Sequence, residues 1–342
     1  MMHVLSILPK TRFTKADVDL PADLIMHFED VRREEDIIQA CRGMDFLLVP
    51  AAYPPITAAV LAQIPTVRMI QSAGAGYDPI DVESAASMGI PVANSPGHNT
   101  GTVAELALAM IIALQRRVFQ ADREIKAGRY QSIRESLFQT GLQELGSTTL
   151  GLIGLGAIGR KVAQIAELLG ASIFYYDLIH LSEAEELALK VRYKPLQDLL
   201  AVCDVVSLHV PLTPSTRGLI GAEALTRMPR GAYLVNTARG ELIEPGALAE
   251  ALESGHIAGA ALDTLAPEPP AADHPLLNLS QAARERLLLT PHIAGTTQGA
   301  FHRMLTAALK NMQAVASGGL PQHVVNGIAA ARMPGQRENR QP

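Results

Sequence analysis

At 342 residues, 48% of them hydrophobic and 18% charged, the chain is long enough for two globular domains and too long for one compact core. A formal net charge of -5, from 29 basic and 34 acidic residues, offers no basic field for nucleic acid or an anionic membrane surface, so a small-molecule partner is expected. Two cysteines, Cys41 and Cys203, each within an apolar run, read as reduced core thiols of a cytoplasmic protein, and the ten histidines show no metal-ligand spacing.

The first residues, MMHVLSILPK, lack a basic start and carry only a short apolar run before Pro9, so no signal peptide is expected. Apolar strand candidates at 4–8, 24–28, 46–49, 67–71 and 91–94 alternate with helical patterns and imply a first parallel α/β unit. The turn-rich NSPGHNTG, 94–101, separates it from what reads as one long helix from Thr102 to about Gly128, opened by a Thr102/Glu105 capping box and crossing between domains. Its apolar part, 103–114, contains Glu105 and is too short to span a membrane.

From 148 onward, strand candidates at 150–153, 173–176, 205–208, 233–235, 258–262 and 287–289 alternate with helices, which predicts a doubly wound parallel sheet. Its first strand runs into LGLIGLGAIGR, with Gly154, Gly156 and Gly159 at G-x-G-x-x-G spacing before a helix that repeats Ile158, Val162, Ile165, Ala166 and Leu169. The first glycine permits a tight turn, the second lets backbone approach a pyrophosphate, and the third lets helix and strand pack closely. The helix N-terminus then faces phosphate charge. Asp177, 18 residues beyond the last glycine, suits a ribose hydroxyl and repels a 2′-phosphate, so NAD is expected in preference to NADP.

Ligands of an open parallel sheet lie beyond the strand C-termini. Three such ends carry reactive groups: Asn236, Thr237, Ala238 and Arg239 after one strand, Asp263 and then Glu268 after the next, and Pro291 and His292 after the last. An arginine fork can hold a carboxylate and polarise a neighbouring carbonyl, a histidine can exchange a proton near neutral pH, and a carboxylate beside it fixes the ring. That inventory suits hydride transfer between a nicotinamide and a 2-hydroxy acid. Beyond His292, a helix at about 299–317 and the segment GGLPQHVVNG are expected to return to the first domain. The expected division is therefore 1–99 plus about 297–330, a dinucleotide domain over 100–296, and a flexible tail at 331–342.

The stretches SAGAGYDPID, NTGTVAE, TLGLIGLGAIGR, LHVPLTPST, LVNTARGELI, AALDTLAPEP, LTPHIAGTT and GLPQHVVN make the chain similar to the D-isomer-specific 2-hydroxyacid dehydrogenases over roughly residues 45–326. The resemblance implies two Rossmann-like or flavodoxin-like α/β domains with parallel sheets, an active site in the cleft between them, and a homodimer. It implies that Arg239 binds substrate, His292 is the acid/base and Glu268 its partner, as the strand ends already suggested. Asp263 falls beside the nicotinamide carboxamide, and His209, Pro211 and Thr213 beside the adenosine and pyrophosphate. Thr102, Ala157, Ile158, Thr237 and Ala238 complete the cofactor set, and Gly74, Ala75 and Gly76 form an amide nest for the substrate carboxylate.

Ala75 stands where a phosphite-oxidising relative has lysine, which argues against phosphite. The chain departs from the family in lacking tryptophan, with Arg129 and Tyr130 where relatives often have one, and in carrying Leu265 and Glu244. Tyr53 is a candidate for the substrate-pocket wall. The expected activity is NAD-dependent reduction of a small, unphosphorylated 2-keto acid or the reverse oxidation. The alternative is an NADH-sensing interaction protein of the same fold with little turnover.

Overall fold

The computed structural model describes residues 1–330, and the tail expected at 331–342 lies outside the described residues. The chain divides into two compact units: residues 1–99 together with the described residues from Thr296, and residues 100–295. Each is built on a parallel sheet, five-stranded in the first and seven-stranded in the second.

In the first unit β1 (Met2–Ser6), β2 (Leu24–Phe28), β3 (Phe46–Val49), β4 (Met69–Ser72) and β5 (Val92–Ala93) take the order β2-β1-β3-β4-β5. Side chains alternate across a strand, so β3 sends Leu47 and Val49 into one core, and Phe46 and Leu48 into another on the opposite face. The second of these cores is closed by the helix Gln298–Ala316, which contributes Leu305, Ala308, Leu309 and Met312. Thr297 caps that helix, its hydroxyl accepting from the Ala300 amide at 3.2 Å. The chain then pairs Val324 with Ala93 of β5, so the C-terminal segment completes the first unit.

The second unit contains β6 (Thr149–Ile153), β7 (Ser172–Tyr176), β8 (Val191–Tyr193), β9 (Val205–Leu208), β10 (Tyr233–Asn236), β11 (Gly259–Leu262) and β12 (Leu287–Leu289). Their order is β12-β11-β10-β9-β6-β7-β8. The chain steps from β6 outward to β7 and β8, then crosses to β9 on the other side. The C-terminal edge between β6 and β9 is therefore a topological switch point. Burial pushes both thiols, Cys41 and Cys203, up to about 12, which keeps them protonated and unreactive.

Two expectations fail in the segment joining 94 to 148. The single helix from 102 to 128 is two, Thr100–Gln115 and Val118–Lys126, followed by a third, Tyr130–Thr140. The break is at Arg117, which takes a left-handed backbone (φ 47°) costing roughly 1–2 kcal/mol for a side chain with a Cβ. Ala107, Ile111 and Leu114 bury the first helix in the sheet's core, whereas Val118–Lys126 buries no residue, so the chain turns out where the apolar face ends. Thr102 lies inside the first turn of Thr100–Gln115 and so does not cap it. β8 is an added edge strand.

Candidate functional site

The glycine loop leaves β6 at the switch point. Gly154 has φ +95°, and a Cβ there would lie 2.5 Å from the His209 carbonyl oxygen, so both conformation and space demand glycine. A Cβ on Gly159 would fall 2.2 Å from the Gly154 oxygen, which is the close helix-to-strand approach expected of the third glycine. Gly156 differs, since a Cβ there would meet no atom within 4 Å. It faces open space at the N-cap of the helix Ala157–Leu168, and no side chain caps that helix. Uncapped amides beside an open glycine are what a pyrophosphate needs, so these residues fit a dinucleotide.

Asp177, just beyond β7, turns back on the same loop. Its Oδ2 accepts from the Leu155 amide at 2.7 Å and its Oδ1 from the Ile179 amide at 3.1 Å. The carboxylate thus holds the glycine turn. After β9, His209 hydrogen-bonds through Nε2 to the Ser207 hydroxyl at 3.0 Å, and burial pushes its ring down to about 4, leaving it neutral. Pro211 and Thr213 belong to a turn closed by hydroxyls: Thr216 donates to the Pro211 carbonyl at 2.8 Å and accepts from the Thr213 amide at 2.8 Å. The buried Thr237 hydroxyl, at the end of β10, has no hydrogen-bond partner among the described residues.

The neighbouring strand ends assemble the reactive groups. Asn236 closes β10, its amide donating to the Arg239 carbonyl at 2.6 Å while its oxygen accepts from the Ala238 amide at 2.9 Å. This staple sets the turn from which Arg239 projects, half-buried, with Nη1 donating to the Ala238 carbonyl at 2.7 Å. Gly240 follows, and a Cβ there would lie 2.3 Å from the Leu265 carbonyl carbon, so the Arg239 turn packs directly on the loop that carries Glu268.

Asp263, at the end of β11, is 1% exposed. Its Oδ1 accepts from the Thr290 hydroxyl at 2.5 Å and the Ile293 amide at 2.8 Å, and its Oδ2 from the Ala294 amide at 2.8 Å. A fourth bond runs from the His292 amide to the Asp263 carbonyl at 2.7 Å. The described bonds of this carboxylate thus go to the segment 290–294. That clamp holds His292 at φ 53°, a left-handed backbone of the kind stored at functional sites. His292 Nδ1 lies 3.0 Å from both oxygens of Glu268. A carboxylate only accepts, so Nδ1 carries the hydrogen and Nε2 is left to exchange a proton.

Asn236, Gly240 and Thr290 had no assigned role in the sequence. Their only trace there is position at a strand end, because their partners lie in other loops.

In the first unit the loop after β4 carries Gly74, Ala75 and Gly76. Ser72 donates to the Gly76 carbonyl at 2.5 Å, and Asn94 donates to the Ala75 carbonyl at 2.7 Å. With those carbonyls turned to the protein, the Ala75 and Gly76 amides make no hydrogen bond among the described residues. They are available to an anion. Tyr53 is exposed, with the Arg32 guanidinium over its ring.

Comparison with known proteins adds four findings. Residues 108–294 match the family model for the D-isomer specific 2-hydroxyacid dehydrogenase NAD binding domain. The chain is 40% identical over 317 residues to a glyoxylate reductase of Korarchaeum cryptofilum, covering 90% of this chain and 93% of that one. Among solved structures, it is similar to a D-lactate dehydrogenase of Aquifex aeolicus complexed with NAD and lactic acid, with TM-score 0.78 and 27% identity over 92% of this chain and 96% of that one. It is also similar to a glyoxylate reductase of Paecilomyes thermophila, with TM-score 0.80 and 28% identity over 95% and 98%.

Proposed function

The chain belongs to the D-isomer-specific 2-hydroxyacid dehydrogenase family and is an NAD-dependent oxidoreductase; from that premise we propose that Arg239, Glu268 and His292 carry its reaction. The observation on which this rests is the two-oxygen contact of Glu268 with His292 Nδ1 at 3.0 Å, beyond β11 and β12, the two strands that follow the arginine's β10 across the sheet. When bound, the dinucleotide supplies or receives the hydride. Gly156, the first amides of Ala157–Leu168, Asp177 and Thr237 would hold it, with Thr102, His209, Pro211, Thr213, Ala238 and Asp263 in supporting positions. Asp263 supports by fixing the segment 290–294.

The Arg239 guanidinium holds the keto acid's carboxylate and draws charge toward the carbonyl oxygen. His292 delivers the proton from Nε2 to that oxygen as it becomes an alkoxide, and takes it back in the oxidative direction. Glu268 keeps the ring in the tautomer and orientation this transfer needs. The Ala75 and Gly76 amides, which make no hydrogen bond among the described residues, suit a carboxylate. A small, unphosphorylated 2-keto acid is the proposed substrate, supported by the likeness to the archaeal glyoxylate reductase.

The test is a panel of glyoxylate, hydroxypyruvate, pyruvate, phenylpyruvate and 3-phosphohydroxypyruvate with NADH. Expected is turnover of at least one unphosphorylated acid, and a loss of about 10² to 10⁴ in kcat for His292→Asn at unchanged NADH affinity. Unchanged turnover in His292→Asn would remove the histidine from the mechanism. Tight NADH binding that alters assembly, with no 2-keto acid reduced, would favour a dinucleotide sensor.

A further inference from the structure

We propose that His274, a residue outside the reacting groups, is the positioning residue that sets the place of Glu268. The inference rests on the proposed Glu268–His292 relay. Glu268 sits in a long irregular loop between β11 and β12, with 40% of its side chain exposed, and the relay needs its carboxylate held to a fraction of an ångström. Two anchors hold the loop. One is the backbone approach of Gly240 to Leu265 and Ala266. The other is His274, an imidazole 5% exposed in a loop of mostly exposed residues.

Its ring spans the loop. Nδ1 lies 3.3 Å from the Leu276 nitrogen, where it caps the short turn Pro275–Leu277. Nε2 lies 3.2 Å from the Ala266 carbonyl oxygen, two residues before Glu268. An amide N–H can only donate, so Nδ1 accepts, the proton sits on Nε2, and the ring donates to Ala266. The turn is itself fixed, with the Asn278 side chain donating to the carbonyls of Ala272 at 2.9 Å and His274 at 3.1 Å. The ring thus ties the loop's Glu268 side to its anchored end, as second-layer partners orient reacting groups elsewhere.

The two bonds can be separated by substitution. His274→Asn keeps an oxygen in the place of Nδ1, and with it the cap, but cannot reach Ala266; His274→Gln reaches Ala266 with its amide. Expected for His274→Asn is a melting temperature close to that of the unsubstituted protein, a fall of about 10-fold in kcat, and keto-acid KM and NADH Kd within about two-fold. His274→Gln should recover most of the turnover. The proposal is overturned if His274→Asn keeps full kcat, if His274→Gln is as slow as His274→Asn, or if the loss follows melting temperature across the two variants. Glu268→Gln and His292→Asn serve as controls. If both are fully active the relay reading itself fails, whereas impaired controls beside a fully active His274→Asn overturn only the role of His274.

Discussion

Asp177 shows how one side chain serves two demands. Its carboxylate accepts from the Leu155 amide of the glycine loop, and on the proposed assignment it also repels a 2′-phosphate. Asp177→Asn keeps an acceptor for that amide and removes the charge, so it should narrow the gap between NADH and NADPH in kcat/KM while leaving the loop intact. Asp177→Ala should narrow the gap and also weaken both cofactors. A strong preference of the unsubstituted protein for NADPH would refute the assignment. His209 bears on acid stability. Burial holds its ring at about 4, below the roughly 6.5 of an unfolded chain, so between those values the unfolded state binds more protons. The stability tied to the neutral ring is complete above about pH 6.5 and is lost as pH falls toward 4, by roughly 3 kcal/mol at most. Denaturant titrations across that range should show a flatter acid limb for His209→Asn; an unchanged slope would exclude His209 as its source.

At the scale of elements, the unit of β6, the helix Ala157–Leu168 and β7 separates glycines that the fold requires from Gly156, which it does not and which is proposed to serve a ligand. Gly159→Ala drives a Cβ into the Gly154 carbonyl and should destabilise the apo-protein by about 1–3 kcal/mol. Gly156→Ala meets no protein atom, so the apo-protein should melt as before while NADH affinity drops. Calorimetry of both variants beside NADH titrations checks this, and a destabilised Gly156→Ala would undo the distinction. The same unit was legible in the sequence because its signals are local: an apolar run, glycine spacing and a helical repeat. The groups Arg239, Glu268 and His292 were legible as strand-end residues. β8 was not, since three residues are too few for their alternation around the exposed Arg192 to stand out. The break at Arg117 carries neither glycine nor proline and arises from where the core ends. Gly240, Thr290 and His274 act across loops, and His274 reads in sequence only as one scattered histidine.

For the whole molecule, the conspicuous surface feature is the pair of helices Val118–Lys126 and Tyr130–Thr140. They expose Phe119, Ile125, Tyr130 and Phe138, the last at 73%. The homodimer that the family resemblance implies would give these exposed apolar side chains a partner. Light scattering at micromolar concentration should give a dimer, and Phe119→Glu with Phe138→Glu a folded monomer; a monomeric unsubstituted protein would reject that homodimer. Among the described residues no helix is long and apolar enough to cross a membrane. The left-handed backbone of His292 has a further consequence, for descent. Asparagine tolerates that conformation better than most residues, and its amide cannot take the histidine's part in proton exchange. A lineage that acquires asparagine at 292 keeps its fold and its dinucleotide cradle while losing most of its turnover. On the proposed mechanism, an enzyme of this architecture therefore stands one substitution away from a receptor for its own cofactor.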